Sequence, residues 1–267
     1  MTAWFALTKA SLRSVRRAAF WWSVALALTV VATVAFWPAF RGASGISQAI
    51  DTLPGPVVEA FGLQDFGSPA GFLRGNLYEL LVPLLFSVAA VALVNGQTAS
   101  DEAAGRLELM LSQPVERGTL FLARVASCLI ALGSVVGVTI IVQLAMDTIA
   151  DVAVAPDYIV ATAVLCGLLA LFFGSVSYLI ACLRPRPSLV LATGIGLTLA
   201  GYLVGALFEI STVLSAWKVI SPWQWALGGN PLEQPTDAWR FAILIVLGVV
   251  LAAIGTIVVG RRDVAAA

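Results

Sequence analysis

Long stretches of almost uninterrupted apolar residues alternate with shorter polar segments along this chain. Six of these stretches approach the roughly 20 residues that an α-helix needs to cross a bilayer. They are continuous and do not alternate polar with apolar positions, so they predict helices and not the strands of a β-barrel. The predicted spans cover residues 21–40, 77–95, 120–146, 158–183, 189–208 and 241–260.

The composition agrees with this pattern. Hydrophobic residues make up 60% of the chain, charged residues 11%, and the mean hydropathy is +0.97. A soluble domain carries about 25% charged residues. We therefore expect an all-α polytopic membrane protein in which residues 1–267 form a single transmembrane domain. The first span lacks a small-residue cleavage site, so we expect it to be retained and not removed as a signal peptide.

Residues 1–20 predict an N-terminal interfacial helix, because basic and apolar side chains occupy separate faces at 100° per residue. The basic face would be attracted to anionic membrane lipid, and a role in bracing the bundle is equally open. Eleven of the fifteen Lys and Arg residues fall on the side that holds both termini. This bias predicts that both termini are cytoplasmic. Among the external segments, residues 41–75 predict turns and short helices, and the tryptophans of residues 209–238 predict anchoring at the membrane interface, with a return into the outer leaflet as the alternative.

The segment 101–117 is charged and amphipathic and lies between the second and third spans. We predict a helix from Glu102 to Gln113 that Pro114 ends. Leu109 would then stand among polar residues, an arrangement that suits docking into a groove of a partner. A solvated loop with one surface leucine is the alternative. The predicted apolar face is Ala103, Ala104, Leu107, Met110 and Leu111, and the polar face is Asp101, Glu102, Arg106, Glu108 and Ser112.

A motif in this segment resembles the loop between the second and third spans of permease subunits of type-2 ABC exporters. That family has approximately E-x-x-G-T-L-E-x-L-L-S-x-P-V-x-R, and this chain has E-A-A-G-R-L-E-L-M-L-S-Q-P-V-E-R from Glu102 to Arg117. Arg106 replaces the usual Thr, as a solvent-facing position would tolerate. The ending Gly260-Arg261-Arg262-Asp263-Val264 is similar to the family's F-x-R-R-D, and the run from Leu53 to Leu63 is similar to actinobacterial drug and antibiotic exporters.

This resemblance implies a multi-pass permease of the bacterial plasma membrane. It implies two kinds of partner: a second permease, as a homodimer or heterodimer, and cytoplasmic ATP-binding cassette subunits that hold ATP and Mg. The central segment would be the coupling helix. The residues assigned to coupling are Glu102, Gly105, Leu107, Glu108, Leu111, Pro114 and Arg117 by the resemblance, and Leu109 by its place on the helix.

Several absences narrow the chemistry. The chain has no G-x-x-x-x-G-K-[ST] motif, so we expect neither bound ATP nor an enzymatic activity of its own. It has no histidine, which removes His-based catalysis and the usual His metal sites. Its three cysteines lie in predicted spans without C-x-x-C spacing, so we expect free thiols and no metal site. Basic residues follow the membrane rim, which gives nucleic-acid binding little support.

The spans offer only weak candidates for a substrate path. These are Thr193, Gly194, Thr198, Gly201 and Glu209, for which helix packing is the favoured interpretation. Few ionisable groups fall deep within spans, which disfavours an ion-coupled carrier. We therefore expect an ATP-driven exporter of a hydrophobic or amphiphilic compound such as a drug, antibiotic or lipid. The alternative is a membrane scaffold or sensor that recruits a cytoplasmic protein without transport.

Overall fold

The apolar stretches form long helices, and most connecting segments form short helices or turns. The computed structural model describes residues 2–41, 52–60, 67–107, 117–210 and 215–261, and these ranges contain no β-strand. A π-helical segment, Arg74–Tyr78, and a 3₁₀ helix, Ser215–Ile220, accompany the α-helices. The α-helices are α1 (Thr2–Val34), α2 (Trp37–Phe40), α3 (Gly55–Ala60), α4 (Pro69–Leu73), α5 (Leu81–Gln97), α6 (Ala99–Ala103), α7 (Arg117–Ala150), α8 (Pro156–Leu183), α9 (Pro187–Ile210), α10 (Pro222–Leu227) and α11 (Ala238–Arg261).

Six helical segments of the described chain are long and apolar enough to cross a membrane. Each overlaps one predicted span, so the all-α fold with six spans is confirmed. The second span is longer than its apolar core, because the short helix α4 and the π-helical segment extend it. The segments are Trp4–Phe40, Pro69–Ala103, Gly118–Ala150, Pro156–Leu183, Pro187–Ala206 and Ala238–Arg261.

The first helix differs from its prediction. Residues 2–34 form one helix that continues without a break through residues 20 and 21, where the interfacial helix was expected to end. No Gly or Pro interrupts this stretch, and α1 packs along α7 with Val15 and Ala19 buried. At 1.5 Å per residue the helix is about 50 Å long, which exceeds the roughly 30 Å of a bilayer core. Its N-terminal part therefore braces the bundle, while its interfacial placement stays a prediction.

Helix α8 lies at the centre of the bundle and contacts α5, α7, α9 and α11. In the spans that contain α5 and α8, 56% of the most apolar window is buried, against 22% in those of α1, α9 and α11. A close approach at Gly194 joins α9 to this centre. A Cβ atom on Gly194 would lie 2.3 Å from Ser177 Oγ and 2.7 Å from a methyl of Val91, so only glycine permits this packing.

The two ends of the bundle carry different polar groups. We call the end that holds residues 98–107 the loop end and the opposite end, where α2 and α10 lie, the far end. At the far end Trp223 is buried, its Nε1 donates to the Glu79 carbonyl oxygen at 3.0 Å, and its ring packs 5.6 Å from that of Tyr202. Trp223 is thus a core residue of the bundle, whereas Trp217 is exposed. Interface anchoring does not describe Trp223.

Candidate coupling site

The loop end is built where the apolar helix α5 gives way to polar residues. Helix α5 ends at Gln97, and Thr98 separates it from the short helix α6. The chain turns at Ala104 and Gly105, where Gly105 has a φ of +69°. An L-residue with a side chain rarely adopts this left-handed conformation, and glycine does so readily. The turn therefore ends α6 and lets the following residues fold back along it.

Asp101 lies between two arginines and is buried. Arg124 of α7 donates from Nη2 to Asp101 Oδ2 at 3.0 Å. Arg106, just past the turn, donates from Nε to Asp101 Oδ1 at 2.8 Å, and its Nη2 lies 2.7 Å from the same oxygen. The carboxylate thus ties α6 both to α7 and to the segment that follows the glycine turn.

Arg124 is only 1% exposed although it carries a full charge. Its Nη1 donates to the Gln97 carbonyl oxygen at 2.5 Å, and its guanidinium lies 5.7 Å from the ring centroid of Phe121. The Gln97 side chain donates in turn to α1, from Nε2 to the Ser11 carbonyl oxygen at 3.2 Å and to Ser14 Oγ. We call Gln97, Asp101, Arg106 and Arg124 the loop-end cluster. It fastens the loop to the ends of α1, α5 and α7.

This cluster makes the base of the loop a rigid part of the bundle. Removing one partner from a buried ion pair leaves an uncompensated charge in an apolar setting, at a cost of about 3–5 kcal/mol. Separation of the loop from α7 would break this ion pair. The base of the loop is therefore held to the ends of the long helices.

The described residues include only part of the predicted coupling set. Leu107 is buried against Leu120, Phe121, Tyr178 and Val259, as its predicted apolar face requires. Glu102 is half-buried in the last turn of α6, Gly105 makes the turn, and Arg117 begins α7. The remaining assigned residues, Glu108, Leu109, Leu111 and Pro114, lie outside the described residues.

The expected continuous helix from Glu102 to Gln113 is wrong at its beginning, because α6 ends at Ala103 and Gly105 turns the chain. Consequently the two predicted faces do not hold across residues 101–104. Asp101 was placed on the polar, outward face and is buried, whereas Ala103 and Ala104 were placed on the apolar face and are exposed. Arg106 is exposed, as predicted, but it pairs with Asp101. Tertiary pairing with Arg124 decides where Asp101 points, and a helical wheel of the loop alone does not contain that partner.

Gln97, Asp101 and Arg124 were not among the predicted site residues. Arg124 was interpreted as a topology signal of the membrane rim. A signal was nevertheless present, because Arg124 lies inside the predicted third span, and an ionisable residue there indicates a functional site with a partner. Asp101, at the end of the preceding span, is a carboxylate within reach of that partner.

An apolar pocket lies directly beside the loop-end cluster. It is small, with a volume of about 40 Å³, and Arg124 and Gln97 are among its lining residues. It adjoins a groove of about 450 Å³ between α7, α8 and α11, with which it shares Leu129, Leu171 and Ala252. The apolar lining of this groove suits a hydrophobic or amphiphilic molecule.

The weak substrate-path candidates lie in helix contacts. Thr198 is buried and its hydroxyl donates to the Gly194 carbonyl oxygen at 2.9 Å. The Thr193 hydroxyl donates to the Leu189 carbonyl oxygen at 2.6 Å, and a Cβ on Gly201 would lie 3.1 Å from the Phe173 ring. Glu209 lies in α9, and its side chain is outside the described part of the structure. Their role in a substrate path stays a prediction.

A family comparison decides the class of this bundle. The family profile described as multidrug efflux system permease Rv1217c, C-terminal domain, matches residues 10–259. The chain belongs to this family. The match confirms the resemblance to permease subunits of drug exporters, and it identifies a membrane transport subunit in preference to an enzyme. No curated protein matches the chain.

Proposed function

We propose that this protein is the membrane subunit of an ATP-driven ABC exporter that moves a hydrophobic or amphiphilic compound, such as a drug, antibiotic or lipid, out of a bacterial cell. The observation that carries the proposal is the buried anchoring of the loop base by Asp101 and Arg124. A coupling element must pass a displacement to the spans, and this anchoring suits that task. The efflux-permease family supports transport over the scaffold alternative.

In this proposal the energy comes from separate cytoplasmic ATP-binding cassette subunits that hold ATP and Mg. When these subunits close on ATP, they press on the segment 101–117. Asp101 carries the displacement to Arg124 on α7, and Gln97 carries it to Ser11 on α1. The bundle then changes between inward and outward access, which is a two-state equilibrium biased by the nucleotide. A second permease, a copy or a relative, completes the pathway.

The proposed orientation has both termini and the loop end in the cytoplasm of a plasma membrane. The basic residues support it, because Lys9 and Arg13 in the first part of α1 and Arg184 and Arg186 in the connection between α8 and α9 lie on the same side as the loop. A cysteine placed at residue 109 and labelled with a membrane-impermeant maleimide tests this orientation. Labelling of intact cells would contradict it, and labelling only after permeabilisation is expected.

The coupling proposal is tested by co-purification with the P-loop ATPase encoded by a neighbouring reading frame. We expect the complex to form and Glu108→Lys or Leu109→Lys to abolish both docking and stimulated ATP hydrolysis. The double variant Arg184→Ala/Arg186→Ala is the matched control, since its charges lie in the second connection of the same side and are interpreted as topology signals. The coupling role is wrong if docking and stimulation survive both loop substitutions.

A further inference from the structure

Three polar side chains near the far end are buried without satisfying their hydrogen-bonding groups. Tyr78 is 1% exposed, Gln143 0% and Asp147 8%. Among the described residues, the Tyr78 hydroxyl, both amide atoms of Gln143 and Oδ1 of Asp147 have no hydrogen-bond partner. Buried polar groups in folded proteins nearly always have a partner. Four unpartnered atoms in one part of an apolar bundle therefore indicate a ligand.

The three side chains form one cluster. Gln143 and Asp147 are one turn apart on α7 and share its buried face. Tyr78, in the π-helical segment before α5, has Cys166 of α8 and Asp147 as its electrostatic neighbours. We call Tyr78, Gln143 and Asp147 the far-end cluster. The π-helical segment contacts α8, which packs on α7, and π-helical segments are frequent at functional sites.

The far-end cluster carries a carboxylate without a cationic partner. No Lys or Arg of the described ranges forms an ion pair with Asp147, because the arginines of this end are engaged elsewhere: Arg74 pairs with Glu79 and Arg41 with Asp151. The Val154 backbone N–H bonds to the Asp147 carboxylate. Its unpartnered Oδ1 is a free acceptor in the bundle interior.

A short connection covers this carboxylate. Residues 151–155 link α7 to α8, and Asp151 and Ala153 have φ values of 51° and 61°. Non-glycine residues rarely adopt this left-handed region, and such strain gathers at functional sites. Trp37 holds the connection by donating from Nε1 to the Asp151 carbonyl oxygen at 3.3 Å. The cover is thus strained and fastened to the end of the first span.

We propose that the far-end cluster binds the protonated amine of an apolar cargo molecule. An ammonium group has three N–H donors and one positive charge. It would satisfy Asp147 Oδ1, Gln143 Oε1 and the Tyr78 hydroxyl oxygen together, and it would neutralise the carboxylate. This inference names a cargo class and rests on the proposed export function, while its test requires no ATP-binding subunit.

The test uses the full chain in phosphatidylcholine nanodiscs, with decylamine and decanol as probes that share an apolar tail and differ in charge. Thermal unfolding is followed by tryptophan fluorescence at several probe concentrations. We expect decylamine to raise the unfolding temperature and decanol to leave it unchanged. Asp147→Asn and Gln143→Leu are expected to weaken the response to decylamine about tenfold or more, since the first removes the negative charge and the second removes an acceptor of the ammonium.

Thr139→Val is the matched control. Thr139 is buried on α7 one turn before Gln143, but its hydroxyl already donates to the Val135 carbonyl oxygen at 2.9 Å. The response to decylamine is expected to persist in this variant. In the absence of probe, Gln143→Leu should unfold no earlier than the unmodified chain, because removal of a side chain with two unpartnered polar atoms does not destabilise. If the residue had a purely structural role, its substitution would instead lower the unfolding temperature.

Three results would overturn this inference. One is equal stabilisation by decanol, and another is a decylamine response that survives both cluster substitutions. The third is stabilisation by sodium chloride alone that blocks the decylamine response, which would assign the cluster to an inorganic cation. These results leave the coupling proposal standing. Failure of the ATPase to dock would conversely leave decylamine binding unaffected.

Discussion

The two polar clusters of this bundle lie at opposite ends and differ in how far their hydrogen-bonding groups are satisfied. At the loop end the Asp101 carboxylate has two arginine partners, and Arg124 also reaches a backbone carbonyl. At the far end Gln143 has no partner for either amide atom and Asp147 has none for Oδ1 among the described residues. An ion-paired carboxylate fixes helices to one another, whereas a carboxylate without a cationic partner favours a ligand that supplies the missing contacts.

The largest effect is expected when the Arg124–Asp101 ion pair of the loop-end cluster is broken. Arg124→Met leaves Asp101 buried with only the exposed Arg106 beside it and should lower the free energy of unfolding by about 3–5 kcal/mol. Thermal or denaturant unfolding of the purified chain in nanodiscs measures the change. The double variant Arg124→Met/Asp101→Leu removes both charges and should recover most of the loss, because no buried charge is left unpaired. Equal losses in the single and double variants would contradict a coupled pair.

A smaller effect is expected at the glycine turn. Gly105→Ala forces an L-residue into a φ of +69° and should destabilise by about 1–2 kcal/mol. Gly118→Ala is the matched control, since Gly118 is helical with open space where a Cβ would lie, and there alanine should be neutral or stabilising. Unfolding of both variants under the same conditions gives the comparison. Equal changes in stability of the same sign in both variants would show that the protein does not depend on the left-handed conformation of Gly105.

Two buried tyrosines allow a hydroxyl with a partner and one without to be compared by the same chemical change. The Tyr178 hydroxyl lies 3.1 Å from Thr256 Oγ1, whereas that of Tyr78 has no partner in the described chain. Tyr178→Phe should therefore lose about 0.5–1.5 kcal/mol, and Tyr78→Phe should lose nothing or gain stability. Unfolding midpoints of the two variants check the difference in sign. A loss at Tyr78 as large as that at Tyr178 would mean that its hydroxyl is satisfied.

The smallest expected effect concerns the exposed ion pair of the far end. Arg41 and Asp151 are 3.0 Å apart, but their side chains are 54% and 81% exposed. Solvent and salt screen such a pair, so Arg41→Ala should change stability by at most about 0.5 kcal/mol. The same unfolding assay at low and high salt measures it. A loss near that of Arg124→Met would show that the cover over Asp147 depends on this pair.

Part of the functional site could be predicted from the sequence. The motif from Glu102 to Arg117 indicated the coupling loop, and the amphipathic pattern placed Leu107 on the buried side, where it lies. The pattern failed at Asp101, because a helical wheel treats the loop in isolation and the partner that buries this carboxylate belongs to α7. It also failed to predict the turn, since glycine can be accommodated in a helix and the left-handed conformation of Gly105 is not encoded in the apolar pattern.

The far-end cluster was less accessible to sequence reasoning. The predicted third span, residues 120–146, contains Gln143 and ends just before Asp147, and neither was among the predicted site residues. Their burial depends on the packing of α7 against its neighbours, and Tyr78 joins them only because the π-helical segment brings it there. Arg124 and Asp147 are nevertheless buried in the bundle, near the two ends of α7.

By itself the sequence determined that this protein is an all-helical membrane bundle with six spans, because an apolar stretch of about 20 residues has few alternatives to a helix when it must satisfy its backbone inside a bilayer. Only the tertiary structure decided which polar groups are paired, since pairing joins residues that are far apart in the chain. Asp101 meets Arg124, while Asp147 and Gln143 are left without such partners in the described chain.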